Sequence, residues 1–269
     1  MTAPRKPSKL ARRIAGQSFA PPPGSGHFVG THLDLFSGIG GFAIAAGLSG
    51  WRTIGMCEWD EQASKVLAAK WPGIPNYGDV RQLRGVKADL VTGGFPCQPF
   101  TTLGQRRGKM DDRWLWPAML RVIKDADPAW VLGENVAGFI ELGLETVLSD
   151  LEAAGFECQP LVIPACAVEA HHRRDRVWIL AWNTDRATKR ARQTIPNSHP
   201  HTIRAPRRPS VSLLHRAADG LPGKLDRLHS LGNAIVPQVA EVILREMARA
   251  HIGQNAKLRD AGESGVEQH

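Results

Sequence analysis

The sequence predicts an α/β fold with a mostly parallel sheet that ends in an antiparallel edge. Short apolar runs alternate with stretches of helical periodicity between residues 31 and 182, which is typical of parallel strands joined by helices. The first run ends in a glycine-rich turn at residues 37–41, as expected at the first crossover. The last two runs have no helix-length linker between them, so we expect them to pair antiparallel at a sheet edge.

The expected elements follow one another without an internal repeat. In the first half they are strand, helix, strand and helix at residues 31–36, 42–48, 53–59 and 60–70. In the second half they are strand 89–92, helix 114–124, strand 130–132, helix 142–153, strands 156–164 and 177–182, and a final helix at 237–250. Apolar residues make up 42% of the 269, enough for one good-sized domain core.

Composition separates this α/β domain from three basic or polar parts. Residues 1–28 carry several basic residues and no acid, and end in a proline-glycine stretch, which predicts a flexible tail. Residues 183–227 contain ten Lys or Arg against three acids and have weak apolar periodicity, which predicts a small basic insertion. The domain is therefore expected at 29–182 and 228–251, with a disordered tail at 252–269.

The charge of the chain predicts a polyanionic partner. The 34 Lys and Arg outnumber 26 Asp and Glu, for a formal net charge of +8. Nucleic acid is the simplest such partner, and a merely basic soluble protein is the alternative. The four cysteines form neither a CxxC pair nor a disulfide framework, which favours a reducing, cytoplasmic setting. The sequence shows no signal-peptide core and no apolar run of membrane-spanning length, so a soluble protein is expected.

Cys97 lies in the most informative segment, residues 93–100. The segment follows an apolar run, which places Cys97 on a loop at the carboxyl end of a strand, where open α/β sheets bind ligands. A thiol there can act as a nucleophile if its pKa is lowered. The alternative is a small apolar filler.

The glycine turn and three residues after it predict a nucleoside cofactor. Glu58 ends the second strand and could bind ribose hydroxyls, Trp59 could lie against a purine, and Asp79 could accept from an adenine amino group. The glycine turn alone would equally serve a dinucleotide or form a tight turn. The alternatives are core packing for Trp59 and a helix N-cap for Asp79.

Four further polar residues complete the candidate site. Glu134 follows the strand 130–132 and could hold a proton near neutrality, the alternative being an N-cap or exposed loop glutamate. Arg174 and Arg176 alternate in an extended segment and could bind a carbonyl and a phosphate, the alternative being a solvated cluster. Asn233 opens the final helix and could return to the cofactor pocket, or it could simply be a capping residue. The adjacent histidines lack partners at metal-ligand spacing, so no metal is expected.

Together these motifs resemble the C5-cytosine DNA methyltransferase family. The similarity runs in family order over residues 31–182 and 228–250. The matching segments are 34–42 (S-adenosylmethionine loop), 58–60 (ribose and adenine), 79–80 (adenine amino group), 96–98 (catalytic loop), 134–136 (acid), 174–176 (paired arginines) and 232–237 (closing motif).

The resemblance implies a Rossmann-like, S-adenosylmethionine-dependent methyltransferase sheet. Residues 29–182 and 228–251 would form the catalytic domain and 183–227 a target-recognition region. The implied catalytic residues are Cys97, Gln98, Glu134, Arg174 and Arg176. The implied cofactor-binding residues are Phe36, Gly38, Ile39, Gly40, Gly41, Glu58, Trp59, Asp79, Val80, Pro96 and Asn233. The implied nucleic-acid contacts are Arg106, Arg107, Lys109, Arg204, Arg207 and Arg208.

The implied reaction is methyl transfer to C5 of a cytosine flipped out of double-stranded DNA. Cys97 would add to C6, Glu134 would bind N3 and Arg176 would bind O2, with no metal. A cognate restriction endonuclease is a candidate partner, and a monomer in the cytoplasm of a bacterial or phage-infected cell is expected.

Three departures from the family and three alternatives remain open. His172 stands where the family usually has Gln, Thr101 where it often has Ser, and the recognition region is short, so specificity is expected to be short or relaxed. A tRNA cytosine methyltransferase shares this core, but its usual Cys-Phe-Thr tripeptide is absent. A catalytically silent DNA-binding homologue and a dinucleotide oxidoreductase are the other two; neither would need an intact Cys97 and Glu134.

Overall fold

The structure, a computed structural model, describes residues 28–96, 114–168, 174–186 and 235–263, with side chains of the last stretch up to residue 252. Its strands are β1 Gly30–Leu35, β2 Trp51–Cys57, β3 Leu90–Gly94, β4 Trp130–Val136, β5 Glu157–Pro164 and β6 Asp175–Trp182. Its helices are α1 Gly41–Leu48, α2 Glu61–Lys70, α3 Trp116–Ala126, α4 Leu144–Ala153 and α5 Pro237–Glu263. The predicted α/β class is confirmed.

The six strands form one sheet in the order β2-β1-β3-β4-β6-β5. The first four strands in this order are parallel to one another. The chain leaves β1 for β2 on one side and returns to β3 on the other side of β1. This reversal opens a crevice at the carboxyl ends of β1 and β3, where such sheets bind ligands.

The antiparallel pair expected at the edge is present. Strand β6 runs antiparallel to β5 and also to β4, and β5 forms the edge of the sheet. Pairing with β6 continues along β4 as far as Val136, which lies opposite Arg176. Strand β4 is therefore four residues longer than predicted, and Glu134 belongs to the strand rather than to a loop after it.

Helices cover both faces of the sheet and position its carboxyl edge. On one face, α3 and α4 bury Met119, Ile123 and Leu151 against Val91 and Val131. On the other face, α1 and α5 pack together over the strands, through residues that include Phe42, Ala45, Val239 and Leu244. A third cluster joins α2 to α1 and β2. Asp60 begins α2 by accepting a hydrogen bond from the Ala63 amide at 2.8 Å.

The final helix is longer than predicted. It is predicted to end near residue 250, but α5 continues to Glu263, so the predicted end of the helix is wrong. No proline interrupts this stretch, and its two glycines, Gly253 and Gly262, lie near its ends. The Trp51 indole donates to the Leu244 carbonyl at 3.1 Å, and the Trp130 indole pairs with His251, so α5 is fixed to the sheet.

Candidate active site

The glycine turn after β1 is held by backbone hydrogen bonds. Gly38 and Gly40 have φ values of 53° and 86°, the left-handed region that favours glycine. The Ser37 hydroxyl donates to the Asp34 carbonyl at 2.8 Å and accepts from the Cys57 amide at 3.1 Å. A Cβ on Gly38 would meet no atom within 4 Å, so the turn leaves open space beside its backbone.

Glu58 lies at the end of β2 and closes onto this turn. Its carboxylate accepts from the Gly38 amide at 2.7 Å and from the Asp60 amide at 2.8 Å. The side chain is buried, and burial raises its pKa while these amides oppose the shift. Glu58 therefore links the two segments on which a ribose would be expected to lie.

Neither the core-packing alternative for Trp59 nor the helix N-cap alternative for Asp79 agrees with the structure. Trp59 is 78% exposed, so it is not a core residue. Asp79 begins no helix of the described residues; its carboxylate instead accepts from the backbone and guanidinium of Arg81. An indole left in solvent beside a buried acid is a ready stacking surface for a flat ring.

A buried polar chain below the glycine turn was missed from the sequence. His32 hydrogen-bonds Thr53 at 2.9 Å and Thr92 at 2.8 Å, and the Thr92 hydroxyl donates to Asp34 at 3.1 Å. Burial lowers the pKa of His32 to about 3 and raises that of Asp34 to about 8. Both groups are therefore neutral at pH 7. Polar residues two apart in an otherwise apolar strand, as His32 and Asp34 are, could have indicated a shared face.

Glu134 is buried in β4 and paired with Arg176. The Arg176 Nε atom lies 2.9 Å from Glu134 Oε1, with side-chain exposures of 18% and 11%. Burial raises the pKa of Glu134, while Arg176 and Arg174 oppose the rise. Neither the N-cap nor the exposed-loop alternative holds for Glu134.

The two arginines lie in different backbone settings relative to Glu134. Arg176 lies in β6, but Arg174 precedes the strand with φ of 20°, so the expected alternation in one extended segment is wrong for Arg174. The Arg174 charge nevertheless lowers the pKa of Glu134, and burial with the neighbouring Arg176 lowers the pKa of Arg174 itself. The acid and both arginines thus form one cluster.

Asn135 fixes the start of the segment that leads to Cys97. Its buried amide donates to the Phe95 carbonyl at 3.1 Å. The Phe95 ring packs against Trp116 and Phe139 with centroids 5.3 Å apart in both pairs. This role for Asn135 was not predicted. Pro96, the last described residue before Cys97, is half-buried.

Ile235, in the closing motif, packs against both the glycine turn and the end of β3 near Glu134. A Cβ on Gly41 would lie 2.7 Å from Ile235 Cγ1, and one on Gly94 would lie 3.7 Å from Ile235 Cγ2. The same Gly94 position would be 3.4 Å from Glu134 Oε2. Ile235 therefore packs between the glycine turn and the acid, beside the position expected for Asn233.

Several predicted residues lie outside the described ranges. They are Cys97, Gln98, Arg106, Arg107, Lys109, His172, Arg204, Arg207, Arg208 and Asn233. Phe36, Ile39, Gly40, Gly41 and Val80 lie on the described glycine turn or next to Asp79, as expected. Within the described ranges, no group of three His, Cys, Asp or Glu could hold a metal ion. No helix among those residues is long and apolar enough to cross a membrane.

Fold and site together define a Rossmann-like methyltransferase-type domain. A parallel sheet with an inserted antiparallel strand carries a glycine turn, an acid after β2 and a buried acid–arginine pair at one edge. The family model for C-5 cytosine-specific DNA methylases matches residues 30–216. The chain belongs to this family, and the family indicated by its motifs is confirmed.

Curated relatives and a solved structure agree with this family. The chain is 35% identical over 157 residues to Type II methyltransferase M.HgiCII of Herpetosiphon aurantiacus, covering 55% of this chain and 36% of that protein. It is 34% identical over 166 residues to Type II methyltransferase M.HpaII of Haemophilus parainfluenzae, covering 57% and 46%. The chain thus spans less than half the length of these relatives. The structure of Entamoeba histolytica methyltransferase EhMeth has a TM-score of 0.50 at 16% identity, covering 68% of this chain and 59% of that one, and supports the fold.

Proposed function

We propose that this chain is a DNA (cytosine-5-)-methyltransferase that uses S-adenosylmethionine and a covalent Cys97 adduct. The observation that carries the proposal is the buried Glu134–Arg176 pair, one strand from the segment that leads to Cys97. A carboxyl group and a guanidinium held together match the N3 and O2 atoms of cytosine, which lie side by side on the ring. Membership of the family supports the same reaction.

The described residues fit S-adenosylmethionine. The open space beside Gly38 would admit a ligand to the glycine turn, the Trp59 indole would stack on adenine, and Glu58 would bind the ribose hydroxyls. Asp79 and Val80 would take the adenine edge, and Asn233 would contribute from the segment just before Ile235, which packs against Gly41. When bound, this cofactor supplies an electrophilic methyl group. No metal is required by this chemistry.

The residues of the chain would prepare the cytosine for methylation. The Cys97 thiolate adds to C6, which makes C5 nucleophilic, and Gln98, the next residue in the sequence, would assist it. Glu134 holds a proton against N3 and so neutralises charge that develops there. Arg176 donates to O2, while Arg174 supports the acid. Once C5 carries the methyl group, the C5 proton passes to water, the C6–S bond breaks and Cys97 leaves as a thiolate, which restores the aromatic ring.

The raised pKa of Glu134 suits this role. Burial favours the neutral carboxylic acid, which can donate to N3, and the two arginines keep the pKa from rising further. The raised pKa thus favours the proton that Glu134 would share with the base. A solvent-exposed glutamate would be ionised and could only accept.

The proposed partner is double-stranded DNA from which the target base is flipped. Backbone contacts would come from Arg106, Arg107 and Lys109 and from Arg204, Arg207 and Arg208. Because they neutralise phosphates, binding should weaken steeply with salt. The chain would act as a monomer in the cytoplasm of a bacterial or phage-infected cell, and a cognate restriction endonuclease is its candidate partner.

The test is transfer of labelled methyl groups by wild-type protein, Cys97→Ser and the matched control Cys166→Ser. Wild type and Cys166→Ser should label duplex DNA at cytosine C5, located by bisulfite sequencing, because Cys166 is an exposed cysteine to which the proposed reaction gives no role. Cys97→Ser should bind cofactor but lose at least about a thousandfold in rate, since no other group can replace the attacking thiolate.

Each other outcome would reject part of the proposal. Full activity of Cys97→Ser would rule out the covalent route. Label in tRNA but not in DNA would replace the proposed substrate by the tRNA alternative. Cofactor binding without label in either nucleic acid would indicate a catalytically silent homologue.

A further inference from the structure

Among the described residues, the hydrogen-bond donors to the Asp79 carboxylate all come from one neighbouring residue, Arg81. The Arg81 amide donates to Oδ1 at 2.9 Å, and its Nε donates to Oδ1 at 3.1 Å and to Oδ2 at 2.9 Å. The Arg81 Nη2 atom donates to Oδ2 at 2.7 Å. An ionised carboxylate has about four acceptor positions. Arg81 occupies all four, and its hydrogen bonds are the main reason that the pKa of Asp79 is lowered.

The two oxygens of Asp79 are not held equally. Oδ1 receives a backbone amide, which remains in place whatever the Arg81 side chain does. Among the described residues, Oδ2 receives donors from the Arg81 guanidinium alone. If the guanidinium leaves, the carboxylate keeps its orientation through Oδ1, and Oδ2 becomes the free acceptor.

The backbone around Arg81 is held independently of its side chain. The Arg121 guanidinium donates to the Leu83 carbonyl at 2.7 Å and to the Val80 carbonyl at 2.9 Å. Arg84 donates to the Arg81 and Leu83 carbonyls at 2.9 Å and 2.8 Å. The Arg81 side chain is 61% exposed, so it can turn into solvent without displacing this framework.

We propose that Arg81 competes with the adenine amino group for Asp79, and that binding of the adenosyl cofactor requires its guanidinium to leave Oδ2. This inference rests on the proposed function, because it takes Asp79 as part of the adenine site. Arg81 would thereby lower cofactor affinity and reduce the preference for adenine. A base without an amino group leaves the ion pair intact, whereas adenine must replace it.

The test measures calorimetric binding of S-adenosylhomocysteine, which lacks the sulfonium charge, to the full chain. Arg81→Ala should bind roughly two- to fivefold more tightly than wild type, the size expected for an exposed ion pair. The gain should vanish in an Asp79→Asn background, where no carboxylate charge remains. S-inosylhomocysteine, whose base carries a carbonyl in place of the amino group, should bind wild type and Arg81→Ala equally.

The matched control is Lys87→Ala, which removes the same charge from an exposed position of the same loop and forms no ion pair with a carboxylate of the described residues. It should leave S-adenosylhomocysteine affinity unchanged. Salt gives a second readout, because screening weakens an exposed ion pair. Raising salt from 0.1 to about 0.5 M should tighten binding to wild type and not to Arg81→Ala.

Two results would overturn the inference in distinguishable ways. Unchanged or weaker binding by Arg81→Ala, with wild type binding normally, would show that Arg81 orients Asp79 or is irrelevant, and would leave the proposed function standing. Failure of wild type to bind S-adenosylhomocysteine at all would reject the adenosyl cofactor, and the inference with it.

Discussion

Two buried glutamates at the same sheet edge are stabilised in different ways. Glu58, beside the glycine turn, receives backbone amides from Gly38 and Asp60. Glu134, in β4, receives the guanidinium of Arg176. Burial raises the pKa of both, and in each case the partner opposes the rise. One acid thus depends on backbone conformation and the other on a charged side chain.

The difference predicts which changes each half of the site tolerates. Backbone donors survive any neighbouring side-chain substitution that leaves the turn folded, so the Glu58 half should fail only when the turn conformation is lost. The Glu134 half should fail when a single side chain is truncated, because a buried charge then loses its partner. Substitutions in the two halves can test this contrast directly.

The largest expected effect is that of Arg176→Ala. Loss of the guanidinium leaves Glu134 buried without its ion pair, and we expect the free energy of unfolding to fall by about 3 kcal/mol at pH 8. The pKa of Glu134 should rise further, since an opposing charge is gone. Burying the protonated acid should destabilise the fold less than burying the unpaired carboxylate. The loss should therefore be smaller at pH 5. Urea unfolding monitored by circular dichroism measures both values.

The matched control for Arg176→Ala is Lys65→Ala, which breaks the exposed pair of Lys65 with Glu61. It should change the unfolding free energy by less than about 0.5 kcal/mol at either pH. Equal losses for the two variants would contradict the view that Glu134 depends on a buried charge. A loss for Arg176→Ala that did not vary with pH would contradict the assignment of that dependence to Glu134.

The next effect is on the glycine turn, through Gly40→Ala. A Cβ at this position would lie 2.2 Å from Trp71 Cη2, and the φ of 86° already disfavours alanine. We expect the free energy of unfolding to fall by about 3 kcal/mol. Backbone strain accounts for about 1 kcal/mol of this loss and overpacking against Trp71 for the rest. Because the turn carries the Gly38 amide, cofactor affinity should fall as well. Thermal unfolding and calorimetry measure the two effects.

Gly73→Ala is the matched control for Gly40→Ala. Its φ is 89°, but a Cβ there would meet no atom within 4 Å, so it isolates the backbone strain. Its loss should be about 1 kcal/mol, with cofactor binding unchanged. If both variants lost the same stability, contact with Trp71 would not constrain the turn.

Features encoded by contiguous residues were predicted well. The glycine turn, the acid after β2 and the alternation of strands and helices depend on local spacing, and they are found close to their expected places. Strand β4 is predicted from the sequence to end at Leu132, but its pairing with β6 extends it to Val136. That pairing joins residues about forty apart in the chain and leaves no local pattern.

Sequence reasoning named candidate site residues but not the contacts between them. Glu134 and Arg176 were named separately, and the register of β4 and β6 is what brings them within 2.9 Å. The Asn135 hydrogen bond to Phe95 and the filling of Asp79 by Arg81 depend on loop conformations that residue types do not reveal. The chain from His32 to Asp34 was missed because both residues lie in a strand whose apolar neighbours indicated only burial.

That buried chain offers the most specific test, through Asp34→Asn, whose effect at pH 5 is the smallest of the three. In the folded protein the pKa of Asp34 is about 8, chiefly through burial, whereas in the unfolded chain it is near its ordinary 3.8. Between these values the folded protein binds one more proton than the unfolded chain at this site. Wild-type stability therefore contains a contribution from Asp34 that is complete below about pH 4 and is lost as the pH rises through 8.

Asparagine keeps the shape and neutrality of protonated Asp34 and does not titrate. At pH 5 the free energy of unfolding of Asp34→Asn should be about 1 kcal/mol lower than that of wild type, because the variant loses a well-packed neutral acid. As the pH rises towards 8.5 the wild type is destabilised and the variant is not, so the difference should shift progressively in favour of the variant. Urea unfolding of both proteins across this range gives the difference, in which all other titrations cancel. Glu141→Gln, at an exposed carboxyl, is the control and should show no such trend. A pH-independent difference for Asp34→Asn would mean that Asp34 is ionised in the folded protein, and that the glycine turn rests on a charge as Glu134 does.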